Sequence, residues 1–113
     1  MDSLTRRLMM FDLYGDLLTS KQREVYDLYH QQDLSLGEIA ELWRVSRASV
    51  HDLLRRTDKV LERYEEAMSL LADHIKRQKT LKALADCLEA GSTDIPEFWQ
   101  DQLKSFVDEL ISI

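Results

Sequence analysis

One cysteine, one proline and three glycines in 113 residues leave little material for disulfides, tight β-turns or glycine-rich loops. A lone Cys87 excludes an internal disulfide and fits a reducing compartment. The isolated Gly15, Gly37 and Gly91 can build neither a phosphate-cradling loop nor a nucleophile elbow. His30, His51 and His74 are too far apart for a local metal-ligand pair, and the adjacent Glu65 and Glu66 point different ways on a helix. The expectation is therefore no enzyme, no metal and no cofactor. No apolar run approaches the roughly 20 residues a bilayer span needs. The N-terminal MDSLTRRLMMFDLYGDLL is interrupted by Asp12 and Asp16, so it reads as an amphipathic helix and not as a signal peptide. A cytoplasmic chain without membrane insertion is expected.

Positive charge is also short. The net charge of −6 argues against strong general affinity for polyanions. Its distribution matters more than its total. Residues 1–34 hold four basic against six acidic side chains and residues 61–113 hold six against eleven, whereas residues 35–60 hold five against four. Only that middle segment is not acidic. Within the acidic last half, Lys76, Arg77, Lys79 and Lys82 form a second local basic cluster, either a solvated helix face or a place for RNA phosphates or an acidic partner.

The middle segment also carries the clearest pattern, SLGEIAELWRVSRASVHDLLRR from Ser35 to Arg56. Ser35 with Glu38 three residues on is a capping box, and Ile39, Ala40 and Trp43 recur on one face of a short helix. Ala40 is small enough to let a second helix cross closely. Arg44-Val45-Ser46 then supplies an apolar plug, Val45, and a cap, Ser46, before Val50, Leu53 and Leu54 continue the buried face. Many such turns carry glycine where Arg44 stands. The arrangement is that of a helix-turn-helix, whose second helix places its N-terminal part in the major groove. The positions left facing outward make Ser46, Arg47, Ala48, His51, Asp52, Arg55 and Arg56 the candidate nucleic-acid-binding residues.

The rest of the chain reads as further helices, giving an all-α array. A first helix is expected over Ser3 to Leu18 with Leu4, Leu8, Phe11, Tyr14 and Leu18 inward. Thr19 or Ser20 caps a second, with Val25, Leu28 and Tyr29 on its apolar face, and Tyr26 and Tyr29 read as core or rim. Beyond Ser46 the positions Leu54, Thr57, Leu61, Tyr64, Met68, Leu71, Ile75 and Gln78 alternate by three and four, a heptad seam. This predicts a long helix, bent or broken between about residues 72 and 80. The seam can pack on the first two helices or on a second copy; a homodimer through it would pair two recognition helices. After Ala90-Gly91-Ser92, Asp94 with Glu97 and Pro96 predicts a fresh helix start. That C-terminal helix gathers Phe98, Trp99, Leu103, Phe106, Val107, Leu110 and Ile111 on one side, to dock on its own core or a second subunit, or to act as a latch for another protein. The expected organisation is a helix-turn-helix domain with its long extension over 1–91, and the amphipathic helix over 92–113.

Residues 11–58 resemble the YlxM family of bacterial helix-turn-helix proteins, in Leu17 to Gln22 (LLTSKQ), Asp33 to Glu41 (DLSLGEIAE) and Val45 to Val50 (VSRASV). The resemblance implies a fold like sigma factor region four in the motif. It also implies a regulatory or accessory role beside the signal recognition particle, whose GTPase and receptor genes tend to be neighbours of this family. Two expectations follow: a regulator binding DNA or the particle RNA through the motif's second helix, or a protein-interaction module acting on the particle GTPase.

Overall fold

The computed structural model describes residues 1–91 and 94–112; Ser92 and Thr93 of the expected linker, and Ile113, lie outside the described residues. The chain is all-α: α1 Ser3–Tyr14, α2 Ser20–His30, α3 Leu36–Trp43, α4 Arg47–Met68, α5 Leu70–Ala90 and α6 Glu97–Ile111, with a single 3₁₀ turn, Gly15–Leu17, after α1. These form two compact units, Met1–Leu71 and Ala72–Ile113. The division expected at 91 and 92 falls inside the second unit, between α5 and α6.

In the first unit the helices start where short polar side chains can satisfy orphan amides. Asp2 caps α1, Thr19 and Gln22 close a capping box on α2, Ser35 and Glu38 close one on α3, and Ser46 caps α4. The capping residues expected for α2, α3 and α4 are those observed. α4 is the central beam, packed against α1, α2 and α3. Its Val50, Leu54, Thr57 and Leu61 are buried with Met10, Tyr14, Val25, Tyr26 and Ile39. Thr57 is tolerated there because its hydroxyl donates to the Leu53 carbonyl at 2.8 Å.

Two inward faces differ from the expectation. On α1 the buried residues are Met10 and Tyr14, Leu8 and Phe11 are half-buried, and Leu4 is exposed. The face that meets α4 is centred on Met10 and Tyr14, while Phe11 stacks on Tyr26 at 4.8 Å between ring centroids. On α2, Tyr26 takes the core position and Tyr29 is exposed. The phenol of Tyr26 reaches through the core edge and donates to Asp58 on α4 at 2.8 Å; burial and this bond push its pKa up.

The long helix breaks at Ser69, earlier than the expected 72–80, because Ser69 adopts a left-handed conformation with φ 56°. A polar knot holds this corner. Glu65, buried on α4, accepts the Tyr14 hydroxyl at 2.7 Å and the Leu71 amide at 2.7 Å through one oxygen, and the Tyr14 hydroxyl accepts the Leu70 amide at 3.1 Å. Glu65 and the Tyr14 hydroxyl thus serve the orphan amides of Leu71 and Leu70 in the first turn of α5, a task usually given to a residue next to the helix. The α4 part of the heptad seam, Leu54, Thr57 and Leu61, is buried within the first unit. Of the two packings the seam allows, the one on the chain's own helices is seen at these three positions, while Tyr64 is half-buried and Met68 is 40% exposed.

In the second unit Ala85 and Leu88 of α5 and Val107 of α6 line a small cleft of about 170 Å³. Pro96 stands at the N-cap position of α6 and makes no side-chain cap, so Asp94 does not play the capping part expected of it. Of the predicted apolar side of α6, only Val107 is buried; Phe98 and Trp99 remain 65% and 58% exposed.

Candidate nucleic-acid interface

Helix α3 ends by a Schellman turn: the Val45 amide donates to the Ala40 carbonyl at 3.0 Å and the Arg44 amide to the Glu41 carbonyl at 3.3 Å. Arg44 occupies the left-handed position, φ 56° and ψ 46°, that glycine usually fills. Side chains pay a conformational penalty there. Arg44→Gly is therefore expected to stabilise the chain by about 0.5–1 kcal/mol, seen as a higher Tm with the helical circular dichroism unchanged. A lower Tm would mean that the Arg44 side chain contributes more than its backbone strain removes. The same turn anchors Val45 by its backbone, which leaves the side chain 41% exposed instead of plugged into the core.

Ser46 then reverses the chain into α4, its hydroxyl accepting the Ser49 amide at 3.1 Å and pairing with the Ser49 hydroxyl at 2.8 Å. Arg47 and Ala48 are exposed in the first turn, His51 is exposed one turn on, and Arg55 and Arg56 follow after a further turn. The inward side of the same helix carries Val50 and Leu54, so burial of one face fixes which residues the other presents. These seven candidates are thus brought to one end and outer face of α4, as their spacing predicts.

They are not electrostatically equal. Asp52 holds both neighbouring guanidinium groups, Arg55 at 3.1 Å and Arg56 at 2.6 Å. The hydrogen bond from Arg55, with both positive charges nearby, keeps the Asp52 carboxyl below its ordinary range. Arg47 has no such partner among the described residues. Beside this cluster, Trp43, Val45 and Leu53 line a shallow groove of about 320 Å³, with the Lys21 ammonium from α2 5.9 Å from the Trp43 ring. Lys21 was not legible as a neighbour of the motif, since it stands 22 residues before Trp43 in sequence. The Lys76, Arg77, Lys79 and Lys82 cluster is exposed on α5 in the second unit, where Lys76, Lys79 and Lys82 follow one another at three-residue steps.

Two helices joined by a left-handed turn, the second capped by serine and carrying exposed cations over a buried face, define a helix-turn-helix protein. Residues 1–98 match the family model UPF0122, described as "Putative helix-turn-helix protein, YlxM / p13 like", and the chain belongs to this family. A UPF0122 protein of Halalkalibacterium halodurans is 45% identical over 93 residues, 82% of this chain and 85% of its own. One from Listeria innocua is 38% identical over 112 residues, 99% and 97% of the two chains. The UPF0122 protein YlxM of Bacillus subtilis is 42% identical over 97 residues, 86% and 87% of the two. No helix among the described residues is long and apolar enough to cross a membrane.

Proposed function

We propose that the protein is a regulatory or accessory factor that binds nucleic acid through the N-terminal half of α4. The observation that supports this most is the exposed row Arg47, His51 and Arg55 on a helix whose opposite side is locked into the core. Arg47, His51 and Ala48 face base edges in this reading, while Ser46, Asp52, Arg55 and Arg56 stand at the rim toward the sugar–phosphate backbone. The resemblance to YlxM proteins suggests the context, an accessory role in the signal recognition particle pathway, with operator DNA or the particle RNA as target. Arg47→Ala combined with Arg55→Ala is expected to abolish a salt-sensitive gel shift and leave helicity intact; undiminished binding would overturn the assignment.

A second reading is favoured by the exposed Phe98, Trp99 and Phe106 on α6. An apolar helix face of this kind suits a protein partner, here the particle GTPase, with the helix-turn-helix kept as a scaffold. A homodimer, useful for reading paired half-sites, fits the same exposed face, since the α4 part of the seam is taken. The Lys76, Arg77, Lys79 and Lys82 cluster offers either partner a second basic contact.

A further inference from the structure

The basic row on α4 does not stop at Arg55. Arg47, His51, Arg55, Lys59 and Arg63 follow at steps of four, and every one is exposed. Each step advances about 6 Å along the helix and turns about 40° around it, so from Arg47 to Arg63 the row runs about 24 Å and winds about 160° toward the side of the helix that α1 flanks. A major groove is only about 12 Å wide. When the first two turns of α4 lie in the groove, the later members of the row must pass over the backbone that bounds it.

The structure puts them in a suitable place. Lys59 and Arg63 line an open cleft of about 490 Å³ between α1 and α4, facing Arg6 and Arg7 of α1. The carboxylates of that cleft are largely engaged. Arg6 grips Glu62 with two bonds, 3.2 and 2.9 Å, and Arg7 lies 4.0 Å from Asp58. Lys59 and Arg63 make no ion pair among the described residues, and Arg55 at the mouth is tied only to Asp52 on its own helix. Five cations line the cleft against three carboxylates, the third being Glu66; with Arg55 held by Asp52 a single positive charge remains in excess, in a chain of net charge −6. A positive cleft in an acidic body focuses attraction for a polyanion at one point.

We infer that the α1–α4 cleft is a backbone clamp, in which Lys59 and Arg63 take consecutive phosphates of the nucleic acid whose groove receives the start of α4. This rests on the reading that α4 binds nucleic acid. Phosphate contacts of this kind set register and affinity and carry no base preference.

The test uses the full chain, the double variant Lys59→Gln/Arg63→Gln, and a fluorescent DNA duplex of about 24 base pairs followed by anisotropy at several salt concentrations. Both residues are exposed, so the fold is expected to survive, and a thermal melt checks it. The expected result is a loss of affinity of about tenfold or more and a salt dependence shallower by about two counterions. Undiminished affinity and slope in this variant, alongside loss of binding in the Arg47/Arg55 variant, would overturn the clamp and leave the α4 reading standing. A wild-type chain that binds no duplex, and equally no RNA hairpin of similar size, would overturn both. Inorganic tripolyphosphate supplies the other source of phosphate. If it binds in a Lys59- and Arg63-dependent way while duplex affinity ignores the pair, the cleft holds a free anion and the clamp is wrong.

Discussion

Glu65→Ala is expected to destabilise the first unit by about 2–4 kcal/mol, a large part of the roughly 5–15 kcal/mol that holds a domain together. The loss comes from what the carboxylate leaves behind. Tyr14, whose side chain is fully buried, would have a hydroxyl proton without its acceptor, and the Leu71 amide would lose its 2.7 Å partner at the start of α5. Burial and the bond to Glu65 already push the Tyr14 phenol pKa up, so it cannot escape by ionising. Arg6, whose pKa is raised chiefly by its hydrogen bond to Glu62, also feels the charge of Glu65. Glu65→Gln separates these contributions. One amide oxygen can still accept from Tyr14 and from Leu71, so this variant is expected to lose much less, about 1 kcal/mol. Urea denaturation of the two variants measures the difference. Equal losses would show that charge, and not the paired acceptance, carries the corner.

Asp52→Asn is expected to strengthen nucleic-acid binding by about five- to tenfold and to steepen its salt dependence by about one counterion. Asp52 now spends its charge on Arg55 and Arg56, two of the cations proposed to reach phosphate. A phosphate approaching either one competes with a carboxylate already in contact. Removing that charge releases both guanidinium groups and takes a repulsive group off the face. Because the pair is exposed and screened, little change in folding stability accompanies the effect. Weaker binding in the variant would carry a different message: Asp52 would then be accepting a hydrogen bond from a base edge, as a carboxylate can from the amino group of cytosine. Anisotropy titrations at two salt concentrations tell these apart.

The sequence reveals most about this fold where the signal is local. Ser35 with Glu38, Thr19 of the Thr19–Ser20 pair before α2, and Ser46 before α4 are caps whose partners lie three residues away, within reach of a local reading. The outward row on α4 is legible for a related reason: Val50 and Leu54 fix the inner side, and helical period does the rest. The break at Ser69 comes before the 72–80 stretch that the alternation points to, because its cause is distant. Tyr14 and Glu65 are separated by 51 residues, and nothing in the continuing three–four alternation marks a corner at Met68 to Leu71. Similar reasons leave Tyr26 open between core and rim in the sequence, since its burial depends on Phe11 and Asp58 from two other helices, and hide the cleft cations Arg6 and Arg7, which share a cleft with Lys59 and Arg63 only once α1 lies against α4. Pairing of Arg55 and Arg56 with Asp52 is a local matter of three and four residues, and the spacing could have announced it.

Helix α4 is at once the proposed reading element and the central beam, 22 residues without interruption from the Ser46 cap to Ser69. That continuity makes the segment an indivisible gauge. One residue added or removed between His51 and Leu61 would rotate everything after it by about 100° relative to the cap. Leu61 and Glu65 would swing out of the core while Arg47 stayed in place. Substitutions on the exposed outer row leave the core untouched, but length cannot drift, so variation in this helix is confined to side chains and barred from the backbone count.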